Sequence, residues 1–413
     1  MSEHEPRRRR SRSGSRSRSE SRSRSGRSGW GPADWAHLRR DRRITAQRRR
    51  ALRRRWAGRL GVGGAAALAA LAAVGASARW VRPAGGWVPQ VAALLLPALG
   101  PALGLSAVAA GAVAVRSRRP VWGVGAVALA AAAAAVWVRH PAPPPAPGGA
   151  EGLRVMTLNV GRTSSEAAYR VADYVQRTEP DVVFLQEADA RSIVVDGQRL
   201  RIYHPTIEAI LSSGAYRVGG GVDTLVARER GPANRQVFLT RLPVLAHEAG
   251  ELGPPNTEPS VYARAEVSWR GRRVALYNVH LRPFNPTAEW SVERMTSPAV
   301  WAETPGRLRE FFAVQGEEAE RLAALIEADP LPVVVAGDFN ATADQWSRAR
   351  LARHTREVLG RRPWAATRPD SVPVAPIDGV LVGAGWSVRA ASVGPPGLSD
   401  HRAVSAELVY SGE

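Results

Sequence analysis

Residues 332–340 read PVVVAGDFN. Three valines and an alanine run into Gly337, and the chain then delivers a carboxylate, an aromatic ring and a carboxamide. An apolar run this short predicts a buried strand. Side chains alternate with period two along it, which places Asp338 and Asn340 on one side of its C-terminal end. Acid and amide residues after a strand are often plain turn formers, so the weight of this stretch depends on its companions.

The same pattern, an apolar run with a polar end, recurs from residue 151 onward. Leu153 to Asn159 (LRVMTLN) reads as a strand, followed by a helix over about Ser165 to Arg177 with Ala168, Val171, Ala172 and Val175 at helical spacing and Pro180 closing it. Asp181 to Glu187 (DVVFLQE) is a second strand; Glu187 at its end is either a metal ligand or a solvated loop residue. Gln236 to Val244 (QVFLTRLPV) is a further strand, with Arg241 near its end where a guanidinium could meet an anionic substrate. The chain has no Lys, so Arg fills every cationic role here, structural ones included. Val261 to Trp269 and Arg273 to His280 form a hairpin around Arg270-Gly271, with Asn278 and His280 on one face of its second strand. Arg307 to Ala328 is an amphipathic helix leading into PVVVAGDFN. Asp378 follows in PIDGVLV, then Leu398-Ser399-Asp400-His401 and a last strand, Ala403 to Val409.

Asn159, Glu187, Asn278, His280, Asp338, Asn340, Asp378, Asp400 and His401 therefore fall at strand ends or in adjoining loops. Hard oxygen donors in this number suit Mg2+ or Mn2+, and two histidines with an available aspartate suit acid/base work on a phosphoester. Zinc suits the set less, because the two histidines lie far apart in sequence and no HExxH pair occurs.

Charge divides the chain. Residues 1–56 carry a net charge of +15, residues 57–150 carry +7 and no acid, and residues 151–413 carry −2. The near-neutral C-terminal part argues against a duplex-binding domain with its own broad basic face. Cysteine is absent, which excludes disulfides, thiolate nucleophiles and Cys-based metal sites. From Arg7 to Arg27 the chain is almost only Arg, Ser and Gly, so residues 1–56 are expected to form a disordered cytoplasmic tail that sets membrane orientation, with nucleic-acid or anionic-lipid binding as the other reading.

Three uncharged apolar stretches follow within residues 57–140: Leu60 to Ala78, Trp87 to Val115 and Val121 to Val138. Each approaches or exceeds the roughly 20 residues that cross a bilayer as a helix, and none has the polar face of a soluble helix. They read as three transmembrane helices, the second kinked at Pro97 and Pro101. The flanking arginines favour a cytoplasmic N-terminus and place everything after Arg139 outside the cytoplasm. With no ionisable group inside them, the spans read as an anchor and not as a transport path. Residues 141–150 begin PAPPPAPGG, a semi-rigid spacer that joins the anchor to the domain at 151–413.

The ordered set TLNV, LQE, TRLP, NVHL, GDFN, IDGVLV and SDH, spread from about Leu153 to Tyr410, resembles the endonuclease/exonuclease/phosphatase superfamily, the fold of DNase I, neutral sphingomyelinases and inositol-polyphosphate 5-phosphatases. The resemblance implies a four-layer α/β sandwich with a divalent-metal site at one end. It implies that Glu187 binds Mg2+ with Asn159 and Asp400 as ligands or near neighbours, and that Asp338 positions the attacking water. Asn340 and His280 would bind and polarise the phosphate, and His401 would be the acid/base residue, oriented by Asp378. The NVHL histidine fits the DNase I, sphingomyelinase and inositol-phosphatase branches better than apurinic endonucleases. Residues 285–305, with Trp290, Met295 and Trp301, match no branch and read as a substrate-facing loop or a surface insertion.

These readings lead to a membrane-anchored, extracytoplasmic, Mg2+-dependent phosphoesterase acting on a phosphate ester or pyrophosphate, with a lipid-linked phosphate favoured by the anchor. An extracellular metal-dependent nuclease using the same site is the alternative, disfavoured by the neutral domain because such enzymes gain affinity by neutralising phosphates. A non-catalytic membrane protein whose tail recruits cytoplasmic partners ranks below both, since every motif residue is present.

Overall fold

The structure, a computed structural model, describes residues 151–412 except 162, 189, 196–197, 220–235, 255–259, 284–297 and 361–364. Ahead of them it describes 66–117, with shorter pieces at 47–49, 52, 63–64, 123, 125–130, 133–134 and 146. The chain divides into residues 1–61 and 62–413. The expected disorder of the basic tail, most of the 141–150 spacer, and Trp290 and Met295 lie outside the described residues.

Two six-stranded sheets form the domain. Its strands are β1 (Leu153–Asn159), β2 (Val182–Gln186), β5 (Arg217–Gly219), β6 (Val237–Thr240), β7 (Val244–Glu251), β8 (Val261–Trp269), β9 (Arg272–His280), β10 (Val333–Asp338), β11 (Arg356–Glu357), β12 (Asp378–Val382), β13 (Trp386–Val393) and β14 (Val404–Tyr410); β3 (Ala190–Val195) and β4 (Gln198–Tyr203) make a separate hairpin. One sheet has the order β13-β14-β1-β2-β6-β5 and the other β11-β12-β10-β9-β8-β7. The helices are α1 (Ala66–Trp80) and α2 (Trp87–Ser117) ahead of the domain, then α3 (Ser165–Thr178), α4 (Pro205–Leu211), α5 (Pro298–Ala328) and α6 (Trp346–Leu351).

The apolar runs explain the layers. Along β1, Leu153 and Val155 face the other sheet while Met156 and Leu158 face α3 and α4. Along β10, Val334 and Ala336 face the first sheet while Val333 and Val335 pack on α5. A strand covered on both faces has no polar side to show, so it reads as a continuous hydrophobic run. The result is helix, sheet, sheet, helix, as the four-layer expectation has it. Between the sheets the rings of Trp269 and Trp386 lie 5.8 Å apart, with Tyr410 edge-on to Trp386.

Strand direction decides where the polar ends meet. β1 and β2 are parallel, joined across α3, and β9 and β10 are parallel, joined across α5. All four therefore end at one pole. β12 runs antiparallel to β10 with Asp378 opposite Asp338, so it begins there. The segment QVFLTRLPV is not one strand as its composition suggests. β6 stops at Thr240, whose hydroxyl accepts from Leu242 N (2.9 Å), and past Pro243 the chain enters the second sheet as β7. Helix α5 begins at Pro298 instead of near Arg307, so residues 298–305 of the unmatched segment are helical.

Among the described residues no single helix is long and apolar enough to cross a membrane. α2 passes by length and composition only as two arms, Trp87–Pro97 and Leu99–Val113, bent by 67° at the break between them. The bend falls at Pro97, which lacks the N–H that would continue the helix. Of the first expected span only 60–62 and 65 lie outside the described residues, and α1, which holds 66–78 of it, is too short to cross; half of the third lies outside.

Candidate active site

The polar ends arrive at the pole by two local devices. Asn159 is the last residue of β1. Glu187 follows β2 in a left-handed conformation, φ 55°, and Asn340 follows β10 in another, φ 47°. Non-glycine residues held this way cost roughly 1–3 kcal/mol each and cluster at functional sites. Because β10 ends at Asp338, simple alternation does not carry Asn340; the left-handed turn does, and its Nδ2 donates to Leu281 O (3.0 Å). Gly337 has φ 153°, and a Cβ there would collide with Val279 O.

The side chains form one connected cluster. Asn159 Nδ2 donates to Glu187 Oε1 (3.0 Å) and Asp338 Oδ2 (3.1 Å), while its Oδ1 accepts from Gly161 N (3.0 Å). Asp338 Oδ1 accepts from Asn340 N (2.8 Å). His280 Nε2 stands 3.7 Å from Asp338 Oδ2 and 3.9 Å from Glu187 Oε1, buried and with no hydrogen-bond partner among the described residues. His401 Nδ1 lies 2.9 and 3.1 Å from the two oxygens of Asp378 and 3.8 Å from Asp338 Oδ2.

Burial sets the proton affinities. Asp338 is fully buried, and desolvation followed by repulsion from Asp378 raises its pKa against the pull of His401 and His280. Burial alone would lower His401, but the carboxylates of Asp378 and Asp338 outweigh it and push the imidazole up to about 9. The site thus pairs a carboxylate that holds protons better than usual with an imidazolium charged at neutral pH, a separation that assigns acid and base.

Below the cluster a buried polar chain ties the sheets together. Gln186 Nε2 donates to Asn278 Oδ1 (2.7 Å) and Thr157 Oγ1 (3.0 Å), and Asn278 Nδ2 donates to Leu185 O and Val237 O (3.0 Å each). Asn278 shares the face of His280 as alternation requires, but it is a fully buried staple between the sheets and not a member of the site. Gly161 escaped the sequence reading. A Cβ on it would overlap Glu187 Oε2, so the bare glycine is the space that the carboxylate occupies. A glycine two residues past a polar strand end was the available signal.

One expected site residue is placed elsewhere, and another makes contacts of its own beside His401. Asp400 Oδ2 accepts from Arg368 Nη2 and its Oδ1 from Ser399 Oγ (3.3 Å each), in the loop that delivers His401. Arg241 is at the wrong pole for a phosphate ligand. β6 is antiparallel to β2 with Thr240 opposite Val182, so Arg241 lies beside Asp181, six residues or ~20 Å of strand from Glu187. Its guanidinium covers the ring of Tyr216 at 4.8 Å.

The donor set fits a divalent cation. Glu187, with its side chain 38% exposed, offers oxygen on the open side next to Asn159, and the orphaned His280 nitrogen faces two carboxylates. Asp338, Asp378 and His401 also bring possible ligand atoms within 4.8 Å of one another, but there the imidazole is already hydrogen-bonded to Asp378. Oxygen donors of this kind suit a hard ion.

A family model described as the endonuclease/exonuclease/phosphatase family matches residues 156–401. Among solved structures, the chain is similar to an endonuclease/exonuclease/phosphatase from Beutenbergia cavernae (19% identity over 64% of this chain and 72% of that one, TM-score 0.42). It is also similar to a mannosyl-6-phosphatase from Bacteroides thetaiotaomicron (14%, 62% and 100%, TM-score 0.42). A family protein from Leptotrichia buccalis is comparable (13%, 62% and 100%, TM-score 0.44). No curated protein matches.

Proposed function

Because the chain belongs to the endonuclease/exonuclease/phosphatase family of hydrolytic phosphoesterases and nucleases, we propose that it is a membrane-anchored Mg2+- or Mn2+-dependent phosphoesterase, its domain outside the cytoplasm, that hydrolyses a lipid-linked phosphate ester or pyrophosphate. The observation that carries the hydrolytic part is the continuous contact from Glu187 through Asn159, Asp338 and His401 to Asp378 at one pole.

Asp338, with its raised pKa, orients the attacking water and accepts its proton as the new P–O bond forms. His280 and Asn340 hold the phosphoryl oxygens on either side. His401 has Nδ1 committed to Asp378, so its Nε2 gives a proton to the leaving oxygen as the old P–O bond breaks. Glu187 and Asn159 would hold the cation, which when bound neutralises charge on the phosphate.

Two observations support the anchor. Most large apolar side chains left exposed in the described residues lie ahead of the domain, among them Val88, Leu95, Leu105, Val108, Val113 and Val115 on α2. The turn between α1 and α2 also touches the domain, with Arg82 Nη2 3.2 Å from Glu320 Oε1. Turn and domain must then share one side of a bilayer, and two further crossings after the turn satisfy that. The favoured orientation rests on the arginine distribution.

The test uses the full chain in detergent with Mg2+, measuring hydrolysis of polyprenyl pyrophosphate, phospholipid and double-stranded DNA with and without EDTA. EDTA-sensitive turnover of a lipid phosphate, lost in His401→Ala and Asp338→Ala, is expected. Cleavage of DNA alone moves the protein to the nuclease reading, and full activity in either variant overturns the mechanism.

A further inference from the structure

The start of α2 is built into the support of the catalytic loop. Gln90 is almost fully buried, and all three of its hydrogen bonds join chain ends. Its Nε2 donates to Ala78 O (3.0 Å), which also accepts from Val81 N (3.2 Å), and to Val81 O (2.9 Å) just past the end of α1. Its Oε1 accepts from Trp346 N (3.0 Å), a donor that the first turn of α6 leaves unpaired and that the N-cap residue Gln345 does not serve with its side chain.

A second contact lies one turn further on. In a helix Ala93 O would accept from the amide of residue 97, but Pro97 has none. Thr342 Oγ1 donates to that carbonyl instead (3.2 Å), with both residues buried. Neighbouring surfaces are shaped to match: a Cβ on Gly316 of α5 would press on Pro83, and one on Gly75 of α1 would strike the backbone of Ala92.

Thr342 and Trp346 bracket the segment that follows Asn340. Gln345 Oε1 accepts from Thr342 N (2.7 Å). Gln315 Nε2 donates to Asn340 O (3.1 Å), while its Oε1 accepts from Ser347 Oγ (3.3 Å). The residue held at the end of this chain of contacts is Asn340 in its left-handed conformation.

We propose that residues 78–93 are an intramolecular docking segment, with Gln90 and the Pro97-freed carbonyl of Ala93 as positioning groups that hold the Asn340 loop in its catalytic geometry. The consequence for turnover rests on the phosphoesterase reading; the docking does not. A chain whose α2 is detached keeps its catalytic side chains but loses the brace on one of them.

The test compares the full chain in detergent with Gln90→Leu, Thr342→Val and Thr342→Ser. Amide hydrogen exchange across residues 339–351 reads the brace directly, and hydrolysis of bis(p-nitrophenyl) phosphate with Mg2+ reads its consequence. Exchange about five- to tenfold faster in Gln90→Leu and Thr342→Val is expected, the size of one lost hydrogen bond. A fall in kcat on the order of tenfold with KM little changed should accompany it, since a small misplacement costs rate. Thr342→Ser keeps the hydroxyl and should keep both values. Unchanged exchange in Gln90→Leu and Thr342→Val overturns the docking. Faster exchange with unchanged kcat overturns the positioning. If the parent chain leaves the probe untouched, the phosphoesterase reading fails and the exchange rates alone decide the docking. Thr342→Val, which exchanges the hydroxyl for a methyl group of similar size, covers the case in which Gln90→Leu does not fold.

Discussion

Replacing Asp378 with Asn keeps the shape of the residue against His401 and removes its charge. The imidazole sits near pKa 9 because Asp378, at 2.9 and 3.1 Å, and then Asp338 overcome its burial. Without the first of these, burial regains weight and the pKa should fall to about 6.5 or below. That shift of at least ~2.5 units corresponds to on the order of 3 kcal/mol of lost preference for the imidazolium. At pH 7 the protonated fraction would drop from nearly all to about a quarter or less. Loss of a positioned proton donor costs ~10²–10⁴ in rate. The assay is a pH profile of kcat for the full chain on bis(p-nitrophenyl) phosphate at saturating Mg2+. The alkaline limb, where the donor loses its proton, should move down by at least ~2.5 units, with activity at pH 7 cut about fourfold or more by the lost protonation alone. A variant with an unmoved limb and parental activity would refute the assignment of His401 as donor and Asp378 as its partner.

Gly161→Ala should raise the Mg2+ concentration for half-maximal activity at least ~10-fold, because the new Cβ takes the place of Glu187 Oε2; titration of activity with Mg2+ checks this. Asn278→Leu removes donors to Leu185 O and Val237 O and leaves one of the two N–H groups of Gln186 Nε2 without its acceptor, which should destabilise the fold by about 2–4 kcal/mol, read as a melting temperature lower by ~5–10 °C. Arg241→Gln should leave kcat and KM within about twofold of the parent, since it loses only a stacked guanidinium at the far pole; a large rise in KM would return it to the phosphate site. In the EDTA-treated chain, His401 has a folded pKa above its unfolded value, so its stabilising contribution is complete below about pH 6.5 and disappears as pH rises through about 9; His401→Gln should flatten that part of a melting curve against pH.

The sequence was most readable where strands are covered on both faces. β1, β2 and β10 announce themselves because neither face meets water, and the β8–β9 hairpin because Arg270 and Gly271 both take the left-handed turn its two-residue loop needs, φ 54° and 76°. Asn159, Glu187, His280, Asp338, Asp378 and His401, which the structure brings together, were legible as polar residues at strand ends or in adjoining loops. Arg241 misled because a strand end shows only that a residue is at some pole; which one depends on pairing direction, set by neighbours distant in sequence. Gln90 was present as a lone carboxamide in an otherwise apolar helix, yet its partner Trp346 is 256 residues away and no periodicity connects them.

The 67° bend of α2 also bears on how a substrate would be found. The arm from Trp87 to Pro97 is docked, and the arm carrying exposed Leu105, Val108 and Val113 starts at Leu99. Thr342 touches the docked arm at Ala93, six residues or ~9 Å of helix before the free arm begins. On the membrane reading, the loop bearing Asn340 then sits within one headgroup layer of the hydrocarbon. Search for a lipid-borne phosphate becomes lateral diffusion in two dimensions, so the rate should track the mole fraction of substrate in the bilayer and hardly respond to dilution of the vesicles.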